Sequence, residues 1–202
     1  MNTVRAMTAC ALCGALAACA KEREIPPPGQ GASPGTTNWK IARALSAAPD
    51  GIAASASIQE WPDNDTAQVA ILRSGSEAWT CFPDKPVTPR GDPICVDDQF
   101  MGWIVALRSD WQAPRVTGMG IAYMLQGSAV ASETDPFKAQ PDSGQAWIDL
   151  PPAILIAMPN RSAYAGLPTA RPAAGPWVLW ARSPYAVIVV PAAAGTERAP
   201  PP

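Results

Sequence analysis

Two short motifs hold most of the residues able to do chemistry: Trp79-Thr80-Cys81-Phe82-Pro83-Asp84 and Asp92-Pro93-Ile94-Cys95-Val96-Asp97-Asp98. Carboxylates held close together bind hard cations or act as an acid and base, because mutual repulsion raises one pKa. On that argument Trp79, Asp84, Asp97 and Asp98 form the candidate ligand site. A structural account competes with it. Asp92 before Pro93 reads as a helix cap followed by proline at the first turn, and Asp97 and Asp98 then sit where the helix dipole favours negative charge. Cys81 and Cys95 are separated by 13 residues, unlike a CxxC redox pair, and two thiolates are too few for structural zinc. In an exported protein the two are expected to form a disulfide between a strand end and a helix start.

The chain contains no histidine. Ser-His-Asp and Cys-His catalysis are therefore excluded, as are histidine-ligated zinc, copper and haem. Asp63-Asn64-Asp65 faintly resembles a calcium loop but lacks the sixth-position glycine and distal glutamate of an EF-hand, so a polar turn is expected. Met101, Met119, Met124 and Met158 lie in apolar runs and read as core. The eight tryptophans suit either a sugar-binding surface or core packing. No cofactor and no metal ligand set is expected.

Hydrophobic residues make up 48% of the 202-residue chain, enough for one domain with a real core. The formal charge is -2, and becomes -3 once residues 1–18, which carry Arg5 and no acid, are removed. That excludes a nucleic-acid surface, which needs clustered cations. Twenty-four prolines imply short elements joined by stiff loops.

The two ends define an address. Residues 1–18 combine a basic start with an apolar run too short for the roughly 20 residues of a membrane span, as a signal peptide does. The run ends Leu16-Ala17-Ala18-Cys19, which resembles a lipobox, so cleavage and lipidation at Cys19 are expected. Ala20 in the next position resembles the outer-membrane pattern of Gram-negative lipoproteins. Residues 19–37 then read as a lipidated Pro/Gly-rich tether, 38–191 as one globular domain and 192–202 as a disordered tail.

Within the domain, Asn38 is a candidate cap for a short helix, Trp39 to Ala48, which Pro49-Asp50-Gly51 would end. Ala67 to Arg73 and Glu77 to Phe82 read as strands joined in a hairpin by Ser74-Gly75-Ser76. The spacing Val96, Phe100, Trp103 or Ile104, Leu107 predicts one long helix starting at Asp92-Pro93. Gly120 to Leu125, Ala153 to Met158, Trp177 to Trp180 and Tyr185 to Val190 are short apolar runs bounded by breakers and read as strands. The expected fold is α+β, a mainly antiparallel sheet of short strands with the long and the short helix packed on it.

Glu60–Asp84, Asp92–Phe100, Gly120–Ser128 and Thr134–Phe137, with their WTC-x-PD and DP-x-C-x-D motifs, resemble an uncharacterised family of exported bacterial proteins. The resemblance spans roughly residues 41–191 and implies no established activity or ligand. It also implies histidine at the positions of Ala153 and Val187, which this chain lacks, so a metal or acid–base role would not carry over. The reading is a membrane-anchored periplasmic lipoprotein, a non-catalytic envelope module that binds a partner protein or small ligand. A carboxylate-dependent hydrolase or lyase and a purely structural lipoprotein are the alternatives.

Overall fold

The computed structural model describes residues 32–62, 69–85, 88–109, 113–114 and 116–192. The signal segment, Cys19, most of the tether, Asp63-Asn64-Asp65 and all but the first residue of the tail lie outside them. The helices and strands run in chain order α1 (Thr37–Leu45), α2 (Asp50–Ala53), β1 (Ala56–Gln59), β2 (Ile71–Arg73), β3 (Ser76–Phe82), β4 (Ile94–Asp97), α3 (Asp98–Arg108), β5 (Gly120–Met124) and β6 (Ser128–Val130). They continue through β7 (Ile148–Leu150), β8 (Ala153–Ala157), a 3₁₀ turn at Arg161–Tyr164, β9 (Trp177–Leu179) and β10 (Val187–Pro191). The class is mixed α+β and mostly sheet. Eight strands form one sheet in the order β2-β1-β3-β4-β5-β8-β10-β9, and β6 and β7 form a separate two-stranded ribbon.

Alternation along the central strands sends side chains to two cores. Phe82, Val96, Ala122, Met124, Leu155 and Val187 face α3, meeting its Phe100, Trp103, Ile104 and Ala106. Cys81, Cys95 and Ile58 face the opposite way, onto Ile41 and Ala44 of α1. The buried Tyr185 ties the α3 side together, donating its hydroxyl hydrogen bond to the Ala106 carbonyl at 3.0 Å. Among the described residues no helix is long and apolar enough to cross a membrane.

Four expectations need correcting. The single long helix is absent: α3 has 11 residues and begins after Asp97, whose Oδ1 accepts from the Phe100 amide at 2.8 Å. Asp92-Pro93 opens a strand instead. Ile94 and Val96 are β-branched, and β4 is held on both sides by β3 and β5, so pairing overrides a local cap signal. The disulfide consequently joins two strands rather than a strand and a helix. The second correction is the hairpin. β2 pairs with β1, and β1 lies parallel to β3, so β1 separates the two strands expected to be neighbours. Gly75 is needed for a different reason, since a Cβ there would sit 2.4 Å from the Ala56 carbonyl oxygen. Third, α1 is capped by Thr36, whose Oγ1 accepts from the Trp39 amide, not by Asn38. Fourth, Pro49-Asp50-Gly51 does not simply stop a helix. It starts α2, with Pro49 at the cap and Asp50 in the first turn.

Candidate functional site

The four residues of the expected site do not share a cleft. Trp79 and Asp97 are cross-strand partners, while Asp84 lies past the Phe82–Ile94 pair, at the other end of roughly 10 Å of ladder. Trp79 packs against Tyr123, with ring centroids 5.4 Å apart. Both Asp97 oxygens are occupied, since Oδ2 accepts from the Ile121 amide at 2.9 Å. Asp98 is exposed in the first turn of α3. Asp84 makes a bidentate pair with the buried Arg43, at 2.6 and 2.8 Å. These carboxylates cap, brace and neutralise. Among the described residues no group of three or more cysteine or acidic side chains is placed to hold a metal ion.

A concavity lies elsewhere. A cavity of about 230 Å³ opens between α3, the β6–β7 ribbon and the loop 131–139. None of Trp79, Asp84, Asp97 and Asp98 lines it. Its walls carry Trp61, Phe100, Trp103, Trp147, Leu155 and Trp180, so it is mostly apolar. Rigid anchors hold two of these rings. The Trp61 indole donates to the Pro83 carbonyl at 2.7 Å and stacks on Phe82 at 4.4 Å. The Trp180 indole donates to the Ser132 carbonyl at 2.8 Å, and its amide to Glu133, which fastens the loop over the cavity. Trp180 also stacks 6.0 Å from Trp103.

Trp180 is, among the described residues, the sole non-glycine with positive φ, at 53°. A bulky residue there is strained, and such strain persists where the surroundings over-determine it, often at ligand sites.

One end of the cavity is charged. Lys85 and Asp92 both line it, and Lys85 sets its ammonium 4.4 Å from the Trp61 ring centre. The Lys85 amide donates to Asp92 Oδ1 at 2.8 Å, a bond that crosses the base of the loop between β3 and β4. Burial lowers the Lys85 pKa; the Asp92 charge opposes that shift and Arg108 reinforces it. Burial likewise pushes the Asp92 carboxyl up to about 6, against the Lys85 amide bond and the Lys85 charge.

The sign of the resulting pH dependence is definite. Between about pH 4 and 6 native Asp92 keeps a proton that the unfolded chain has lost, so its contribution to stability falls as pH rises through that window. Asp92→Asn should remove that slope and raise stability at pH 7. The ceiling is about 3 kcal/mol; a gain of roughly 1 to 2 kcal/mol is expected, because the new amide N–H groups also need buried partners. Urea melts at pH 4, 5, 6 and 7 measure it. A variant less stable than wild type at pH 7 would contradict the assignment.

Sequence reasoning passed over Lys85 and Trp61, and treated Asp92 as a cap. Their signal was faint, because the cavity draws on segments far apart in the chain. No family model, curated protein or solved structure matches this chain.

Proposed function

We propose that this protein is a lipid-anchored, non-catalytic envelope module, held at the membrane through Cys19, that binds one small, largely apolar ligand.

 The observation that carries this is the preformed aromatic cavity, closed on one side by a loop that Trp180 pins in a strained conformation. Concave, mostly apolar sites with a few polar groups at one end are the usual form of small-molecule sites. The anchor rests on the Leu-Ala-Ala-Cys ending of the signal segment, and the outer-membrane address on Ala20 in the next position. Labelling with a palmitate analogue should mark the wild type and not Cys19→Ser; equal labelling of both would remove the anchor from the proposal.

Ala129 gives a direct test of binding. It is buried on β6 and lines the cavity. Ala129→Leu places three more carbons in the space, and should weaken binding of a neutral probe such as 1-octanol at least tenfold while the fold persists. Trp79→Phe, on the opposite face of the sheet, should leave binding unchanged. Calorimetric titration of the two variants reads both. Weaker binding in Trp79→Phe alone would return the site to the WTC-x-PD motif.

A hydrolase or lyase is the second reading, and one observation favours it: Asp92 and Lys85, with opposed pKa shifts, line the same cavity. One oxygen of Asp92 is already engaged by the Lys85 amide. The second carboxylate of the cavity lining, Asp135, accepts from the Phe137 amide within its own turn. Binding without turnover is therefore the reading preferred.

A further inference from the structure

We infer that the ligand is a small neutral aromatic molecule, which stacks on the Trp147 indole and shares one hydrogen bond with the Ser128 hydroxyl. The inference rests on the reading of the cavity as a ligand site and adds the chemistry of its occupant. Four indoles line the cavity, those of Trp61, Trp103, Trp147 and Trp180, and the protein itself engages three of them. Trp61 lies against Phe82 and under the Lys85 ammonium. Trp103 and Trp180 pack on each other, and Trp103 also meets Phe100 and Tyr185. Trp147 differs. It is half-buried on the wall, yet among the described residues it has no ring contact, no cation over it and no acceptor for its N–H. A large ring held at a cavity wall with its face unoccupied is a platform for another ring, since aromatic pairs gain beyond the area they bury.

Ser128 supplies the second, independent observation. It is only 7% exposed and lines the same cavity from β6. Its hydroxyl has no hydrogen-bond partner among the described residues, and a buried polar group left so carries a cost that a partner removes. The indole N–H groups of Trp103 and Trp177 also lack acceptors, but they are sealed from any contact. The Ser128 oxygen is not sealed, and the cavity is the opening beside it. Next to it stand Ala129 and, directly across the ribbon, Leu150. An ion would be costly in that apolar setting, so the group that meets Ser128 is neutral, a hydroxyl or a carbonyl.

The ribbon sets the shape of the occupant. Ser128 pairs with Leu150 and Val130 with Ile148, and Trp147 immediately precedes β7. Ser128 and Trp147 therefore stand at opposite ends of the ribbon, about 10 Å apart along the strand direction. A ring with a polar group at its far end spans that interval. Size narrows the class further. A cavity of roughly 150 Å³ holds benzene, so the 230 Å³ here suits about nine or ten non-hydrogen atoms by the same scale. A substituted phenol such as 4-ethylphenol has that size and that arrangement.

The test compares three probes of similar size: 4-ethylphenol (ring and hydroxyl), 4-ethyltoluene (ring alone) and 1-octanol (hydroxyl alone). Calorimetry is run on the full chain carrying Cys19→Ser, so that no detergent competes for the cavity. 4-Ethylphenol should bind about fivefold more tightly than 1-octanol, the order of one aromatic pair. Trp147→Leu should weaken both ring probes about fivefold and leave 1-octanol within about twofold, whereas Trp147→Phe should keep the preference for a ring. Ser128→Ala should weaken 4-ethylphenol and 1-octanol about fivefold, as the loss of one hydrogen bond does, and spare 4-ethyltoluene. Each variant thus retains one probe that reports an intact cavity. 1-Octanol binding as tightly as 4-ethylphenol would overturn the ring and leave the cavity reading standing. Equal losses of all three probes in Trp147→Leu would overturn the platform. A loss of 4-ethyltoluene equal to that of 4-ethylphenol in Ser128→Ala would overturn the hydroxyl contact. If no probe binds, both the inference and the reading beneath it fall.

Discussion

Asp84→Ala is expected to lower the unfolding free energy by about 3 to 5 kcal/mol, the cost of stranding one charge of a buried ion pair. Its partner, Arg43, keeps only 8% of its side chain exposed, and Asp84 16%. The guanidinium gives Nε to one carboxylate oxygen at 2.6 Å and Nη2 to the other at 2.8 Å, a bidentate geometry that an ammonium does not reproduce. The pair clips α1 to the chain just after β3. Gly91 leaves room for it, since a Cβ there would sit 2.2 Å from Arg43 Nη2. Arg43→Met should cost a similar amount. The double variant Arg43→Met/Asp84→Leu should cost clearly less than the sum, because neither charge is then left alone. Chemical denaturation of the four proteins gives the coupling energy. Additive losses would show that the pair contributes nothing beyond its separate side chains.

Removing the disulfide has the second large effect. Cys81 and Cys95 are bonded across directly opposed positions of β3 and β4, both fully buried beneath α1. Closing a loop of about 15 residues restricts the unfolded chain by roughly 3 kcal/mol. Pro83, Pro86, Pro89 and Pro93 already stiffen that loop and reduce the figure. Two truncated side chains in a packed core raise it again. Cys81→Ala/Cys95→Ala should therefore lose about 2 to 4 kcal/mol, or about 10 °C in Tm for a domain of this size. Trypsin should then cut faster after Arg90, which lies in the released loop. An unchanged melting temperature would mean that strand pairing and the α1 contact hold the ribbon without the covalent link.

The strands β5, β8 and β9 were legible because each is a short apolar run between glycine or proline breakers, long enough for a strand and too short for a helix. The buried face of α3 was legible too, in the spacing of Phe100, Trp103 and Ile104. Other features carried no local signal. β1 consists of Ala56, Ser57, Ile58 and Gln59, with one large apolar side chain, and it forms because β2 and β3 bracket it. β4 wore the signature of a helix start, and only its two neighbours decide otherwise. The cavity was the hardest to see. Trp61, Lys85, Asp92, Trp103 and Trp180 come from five separate stretches, and the β6–β7 ribbon that helps enclose them was not expected at all. The dense WTC-x-PD and DP-x-C-x-D motifs drew attention to Trp79, Asp84, Asp97 and Asp98. Their density reflects a disulfide, a cap and an ion pair crowded onto two strands.

The aromatic cavity beside α3 is the proposed ligand site. Resolved indole N–H signals in a two-dimensional NMR titration with 1-octanol test it most directly, because the tryptophans divide by location. Trp61, Trp103, Trp147 and Trp180 line the cavity, and Trp79 packs on the far face of the sheet. Saturable shifts are expected in the first four and none in Trp79. Shifts confined to Trp79, or no saturable shift in any of the four, would contradict it.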